Sequence, residues 1–172
     1  MEVLAGVVAQ QEAPADFAAY MAARGRALLR FAYLVTGDRV ECADLVQEAL
    51  ERAWPRWDAL VARGSHEAYL RRSIANGAIS RWQKLSRVVP VAEPSSTETM
   101  LAEVTEDSRA AWELCAQLPP VQRAAVVLRF YEDLSYAEIA EVLGCAEATA
   151  RSHVHRALAA LRERLTAGGE DV

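Results

Sequence analysis

The sequence predicts an all-α protein of two small helical domains joined by an acidic flexible linker, and three observations carry that expectation. Apolar residues recur mostly at helical i, i+3 and i+4 spacing rather than in strict alternation. Hydrophobic residues make up 52% of the 172, with Ala and Leu frequent, while 8 Gly and 6 Pro are too few for an all-β fold with its many turns. Charge is segregated. From Ala68 to Ala92 there is no acid, yet Arg71, Arg72, Arg81, Lys84 and Arg87 occur, interleaved with Tyr69 and Trp82; from Glu93 to Asp107 the pattern inverts. That second stretch has five acids, no base, and Pro94, Ser95, Ser96, Thr97 and Thr99, the composition of a solvated connector.

The elements follow in order. Residues 1–15 read as a tail, and Asp16 caps a first helix whose apolar positions are Phe17, Tyr20, Met21, Leu28, Leu29, Ala32 and Tyr33, with Gly25 as the point where it could kink. Thr36 and Gly37 end it. Asp38 and Glu41 form a capping pair for a second helix with Leu45, Val46, Ala49, Ala53 and Trp54 as its buried stripe, leaving Asp44, Gln47, Glu48 and Glu51 outward. Pro55 ends or kinks it. A third helix, capped by Ser65 after Gly64, runs to about Ser86, with Trp82 expected in the core. The first domain spans 16–88 and the linker 89–107.

The second domain, 108–166, opens around Ser108, breaks at Pro119-Pro120 and resumes from about Val121 to Tyr131, with 167–172 as a tail. Ser135 and Glu138 make an S-x-x-E capping box, and Gly144 suits a left-handed helix end. Beyond it Ala150, Val154, Ala157, Leu158 and Leu161 share one face of a last helix. Arg151, Ser152, His155 and Arg156 are thereby turned outward, next to Thr149. A helix-turn-helix whose second helix presents such side chains from its N-terminal half suits the DNA major groove, where Arg forks onto guanine and its neighbours hold phosphates. The alternative is an ordinary solvated face.

The totals limit the function classes. A net charge of -5 and a pI near 5.3 argue against indiscriminate nucleic-acid binding. Three Cys without paired spacing suggest a reducing compartment. The segment MEVLAGVVAQQ lacks a basic leader, and no apolar run reaches the roughly 20 residues of a membrane span, so no membrane insertion and a cytoplasmic location are expected. His153 and His155, two apart on a helix, make a poor metal pair, and no metal or other cofactor is expected.

The stretch LPPVQRAAVVLRFYEDLSYAEIAEVLGCAEATARSHVHRALAALRERL resembles region four of an extracytoplasmic-function sigma factor of the actinobacterial SigE-like kind. In the same way LVTGDRVECADLVQEALERAW resembles the polymerase-binding segment of region two, and EAYLRRSIANGAISRWQK the promoter-melting segment after it. The resemblance implies a dissociable specificity subunit of bacterial RNA polymerase core, not an enzyme itself, that reads the minus-ten element of promoter DNA with region two and the minus-thirty-five element with region four. It implies that Asp44, Gln47 and Glu48 engage the clamp of the largest core subunit. It places Asn76 near the pocket for a flipped minus-ten base, Gly64 and Ser65 in or beside the specificity loop, and Arg71, Arg72, Arg81 and Lys84 on phosphates. Thr149, Arg151, Ser152, His155 and Arg156 fall to the minus-thirty-five element. An anti-sigma factor is a further partner of many relatives. The chain departs from the family at Gly77, where a bulkier residue is usual, at Ala146 in place of a capping side chain, at the small Ala150, and at Ser152-His153 in place of a more basic pair.

Two rival functions need weighing. A stand-alone regulator of the LuxR type also shows E-I-A-E-x-L-G, but has no use for Asp44-Leu45-Val46-Gln47-Glu48 and the basic third helix. For an enzyme, the chain shows no His-Glu metal signature, glycine-rich phosphate loop or nucleophile elbow.

Overall fold

The computed structural model describes residues 17–85 and 105–167, and all the regular elements among them are helices. In the first lobe these are α1 (Phe17–Thr36), α2 (Arg39–Ala53), a 3-10 turn (Trp54–Arg56), α3 (Trp57–Ala62) and α4 (His66–Leu85). The second lobe holds α5 (Glu106–Cys115), α6 (Pro120–Phe130), α7 (Tyr136–Leu143) and α8 (Glu147–Ala167). The expected Asp16 cap and most of the acidic connector lie outside the described residues.

Local signals act where the spacing put them. α1 runs unbroken through Gly25 to Thr36, and Gly37 at φ +72° donates its N–H to the Tyr33 carbonyl at 2.7 Å. The Asp38 carboxylate accepts from the Glu41 N–H at 2.8 Å, while the Asp38 N–H turns to the Thr36 hydroxyl instead of to Glu41. Ser65 precedes α4, its hydroxyl donating back to the Leu60 carbonyl. In the second lobe, expected to open around Ser108, Thr105 caps α5, accepting from the Ser108 N–H. Glu106 and Asp107 therefore belong to the first turn of this helix rather than to the linker, where their charge complements the exposed N–H groups. Pro120 begins α6, the capping box of Ser135 and Glu138 is reciprocal, and Gly144 closes α7 at φ +66°. The Ser135 N–H on the Glu138 carboxylate holds its pKa below the usual carboxylate range.

Two tryptophans depart from expectation. Trp54 is 44% exposed and Trp57 4%. The chain keeps turning past Pro55 through the 3-10 turn, so the buried line Leu45, Ala49, Ala53 continues at its four-residue spacing to Trp57, with Trp54 on the edge. Phe17 packs edge-on to both rings at 4.9 Å, and Tyr20 and His66 complete the aromatic group. Trp82, expected inside, is 46% exposed: Leu70, Ile74 and Ala78 bury one side of α4, and the last turn extends beyond that cover.

Within the first lobe α1, α2 and α4 pack on one another, and within the second α6, α7 and α8. Gly77 of α4 meets α2 so closely that a methyl group there would lie 2.5 Å from Cδ2 of Leu45, itself 2% exposed. The small residue at this departure from the family is therefore a packing requirement. Gly77→Ala gains up to about 1 kcal/mol of helix propensity but costs about 1–3 kcal/mol in overpacking. We expect a net loss of stability, read as a lower midpoint in urea; a raised midpoint would show that Leu45 has room to move.

The lobes also pack on each other, α4 against α7 and α6, and α1 against α5 and α6. Arg123 is central to this junction. Only 3% exposed, it donates to the carbonyls of Cys115, Ala116 and Leu118 at the end of α5 and just beyond it and, across the junction, to Val35 near the end of α1 at 3.1 Å. Its guanidinium lies 4.6 Å from the centre of the Trp112 ring. Burial lowers its pKa from the ordinary value, and the carbonyl ends of two helices offset the desolvation of the charge. Trp112 itself lies against Gly37, where any side chain would collide with it.

Candidate functional site

Three surfaces collect the residues singled out in the sequence. On α8, Thr149, Arg151, Ser152, His155 and Arg156 are all exposed, because Ala150, Val154 and Ala157 are fully buried against the lobe. Arg151 is held between two groups: Glu147 one turn earlier at 3.1 Å and the Tyr136 ring, whose centre is 4.8 Å from the guanidinium carbon. Arg129 lies over the same ring at 5.1 Å and His155 tilts toward it at 6.5 Å. Ser152 donates to the Ala148 carbonyl. Arg164, by contrast, bonds the Leu114 carbonyl and Gln117, so the C-terminal part of the basic helix ties α8 to α5.

The second surface is an open groove of about 510 Å³ along α4 and the neighbouring part of α2. Asn76, exposed, lies in its wall together with Tyr69, Ser73 and Ser80 and the cations Arg52, Arg72, Arg81 and Lys84. Gly64 and Ser65 lie outside this wall, before the start of α4 and about 16 Å from Asn76 at 1.5 Å per residue. Arg71 does not join it either. One position on from buried Leu70 and only 13% exposed, its side chain faces the junction and pairs with Glu67 at 3.2 Å and with Glu132 of the second lobe at 2.6 Å.

The third surface is the outer side of α2. Asp44 and Gln47 are exposed, and Gln47 donates to Glu51 at 3.0 Å. Glu48 turns toward the α4 groove, where Arg81 meets it at 2.5 Å and Arg52 at 3.6 Å. It therefore belongs as much to the second surface as to the third. Beside Gln47 and Glu51 runs an apolar groove lined by Phe17, Met21, Leu29, Val46, Leu50 and Trp54. No cluster of His, Cys, Asp and Glu among the described residues has the geometry to hold a metal ion, and none of their helices is long and apolar enough to cross a membrane.

Glu147 was readable as a partner four residues before Arg151, and Tyr136 as the residue after the cap. The apolar groove and the Glu132 contact were not, because each joins segments remote in sequence.

Comparison with known proteins agrees with this layout. The family model for Sigma-70 region 2 matches residues 20–88 and that for Sigma-70, region 4 residues 108–161. The RNA polymerase sigma-E factor of Streptomyces coelicolor is 38% identical over 88% of this chain and 87% of its own, and that of Streptomyces avermitilis 38% over 87% and 85%. Among solved structures, the sigma factor RpoE of Bartonella quintana, crystallised with the anti-sigma factor NepR, has a TM-score of 0.65 at 25% identity over 88% of this chain and 97% of that one. Region 2, the region 4 helix-turn-helix and these relatives together place the chain in the Sigma-70 family, as an RNA polymerase sigma factor of the extracytoplasmic-function type. The region 2 match sets aside the stand-alone LuxR-type regulator, which has no such lobe.

Proposed function

We propose that the first lobe reads the minus-ten element of a promoter through the α4 groove and the second reads the minus-thirty-five element through α8, while Asp44 and Gln47 dock on core RNA polymerase. In this reading Asn76 supplies a donor and an acceptor to a base, and Arg72, Arg81 and Lys84 neutralise phosphates. Thr149, Ser152, His155 and Arg156 position α8 and Arg151 reads a base. Glu48 serves both the polymerase face and the groove, through Arg81. The chemistry of RNA synthesis stays with the core enzyme, in the cytoplasm, and an anti-sigma factor comparable to the partner of the Bartonella protein is the expected antagonist. The observation that carries the reading is one cationic surface with hydrogen-bonding side chains on each lobe, within the residues matched to regions 2 and 4.

Reconstituting the chain with core polymerase and sequencing transcript starts tests it. Starts should share two upstream motifs, and random starts would overturn the reading. Arg151→Ala should relax the minus-thirty-five preference by about 1–3 kcal/mol for a lost forked contact. Arg162→Ala should weaken binding little and evenly, and a preference that followed Arg162 instead would reject this face of α8.

A further inference from the structure

Arg151, the side chain of α8 placed on a base above, is gripped by two groups. Glu147, one turn earlier, accepts from its Nη2 at 3.1 Å, and the centre of the Tyr136 ring lies 4.8 Å from its guanidinium carbon. Both groups are themselves fixed. Glu147 lies in the first turn of α8, where a carboxylate complements the exposed N–H groups of the helix end. Tyr136 opens α7 directly after its Ser135 cap, and its half-buried ring packs on the core. Arg129 lies 5.1 Å from the centre of the same ring and is anchored by a hydrogen bond to the Leu134 carbonyl at 2.8 Å. The support for Arg151 therefore comes partly from its own helix and partly from the elements before the turn.

This grip acts on geometry more than on stability. The side chains of Arg151 and Glu147 are 54% and 53% exposed, so solvent screens the pair and folding gains little from it. A guanidinium that forks onto guanine must give up its rotamer freedom and present its plane to O6 and N7. Held against a carboxylate and a ring, Arg151 has given up much of that freedom before DNA arrives. Glu147 occupies one of its five N–H donors, which leaves a fork for the base. The carboxylate also cancels its charge, so Arg151 adds little to the sequence-independent attraction to phosphates. A cation arranged in this way is suited to discrimination rather than to affinity.

We propose that Tyr136 and Glu147 are positioning residues of the minus-thirty-five reader: together they hold the Arg151 guanidinium in one orientation, and the sequence preference at the base it reads depends on both. The proposal rests on the promoter-reading function above and deepens it at this one position.

The test uses holoenzyme reconstituted from core polymerase and the full chain, on a promoter library randomised across the minus-thirty-five element, with transcripts counted for each sequence below saturation. Arg151→Ala marks the position that Arg151 reads, by flattening its preference. At that position Glu147→Gln, which keeps the shape of an exposed side chain and removes its charge, should lower discrimination about threefold to tenfold, the order expected for freeing one rotamer-rich side chain. Total output should rise at the same time, because a negative charge has left the DNA-facing side. Higher output with an unchanged base preference would make Glu147 a repulsive charge alone and overturn its positioning role. Tyr136→Leu should lower discrimination by a similar factor, and Tyr136→Phe, which keeps the ring face, should restore it. Equal losses in the two would place the effect in the hydroxyl and overturn the ring as a support, as would an unchanged preference in a folded Tyr136→Leu chain. Should Tyr136→Leu fail to fold by circular dichroism, Glu147→Gln and Tyr136→Phe still decide the matter. NMR relaxation of the Arg151 Nε–H in the free chain reads the grip without DNA: restrained in the wild type and in Tyr136→Phe, mobile in Tyr136→Leu and Glu147→Gln. A mobile group in the wild type would overturn the proposal. A restrained Arg151 in a chain whose transcripts show no minus-thirty-five preference would sink the promoter-reading function and leave the grip standing.

Discussion

Replacing Asp44 and Gln47 together by Arg is expected to abolish promoter-directed transcription while leaving the helical circular-dichroism signal unchanged. Both side chains are exposed on α2, three positions apart on one face, and the residues that bury this helix, Leu45, Val46 and Ala49, point elsewhere. Folding has no stake in their charge. If the face docks on a basic surface of the polymerase, two added cations set like charges across an interface, at a cost of several kcal/mol, roughly. That is on the order of a hundredfold or more in affinity. Glu48 is left alone in this variant: Arg at 48 would face Arg81 and Arg52 and disturb the groove as well, so a transcription defect could no longer be assigned to docking. Pull-down of core polymerase at wild-type strength by the folded Asp44→Arg, Gln47→Arg chain would count directly against α2 as the docking face.

The largest effect on stability is expected from Arg123→Met. Methionine fills a comparable volume but returns no donor to the carbonyls of Val35, Cys115, Ala116 and Leu118. Each buried acceptor left without a partner costs about 1–3 kcal/mol, and with some of them reached by water the total loss is on the order of 4 kcal/mol. Because Val35 lies in the last turn of α1 and the other three lie at or just after the end of α5, the loss falls on the junction between the lobes as well as within the second lobe. Urea titration should show the midpoint falling, and with Trp112 in the second lobe and Trp54, Trp57 and Trp82 in the first, the first lobe should persist after the second has melted. A midpoint within experimental error of the wild type would mean that water replaces the guanidinium at every one of these carbonyls.

Helix ends and helix faces were legible in the sequence. Ser135 with Glu138, Gly144 after α7, Asp38 before α2 and Pro120 at the head of α6 all act within four residues of themselves, and the spacing alone named the outward residues of α8. The order of the two segments likewise sufficed for the family. The fates of particular side chains were not legible. Arg71 and Arg72 are adjacent and chemically equal, yet one faces the junction and Glu132, 61 residues away, while the other lines the groove. Trp57 took the buried place expected of Trp54 because a 3-10 turn carried the helical phase across a proline that, read locally, ends it. Arg123 reads as a surface cation until the ends of α1 and α5 converge on it. Capping and amphipathic periodicity are set by neighbours along the chain, so they are written in the sequence; whether a charge meets solvent, a carboxylate or a carbonyl is set by which helices pack together, and only the tertiary structure decides that.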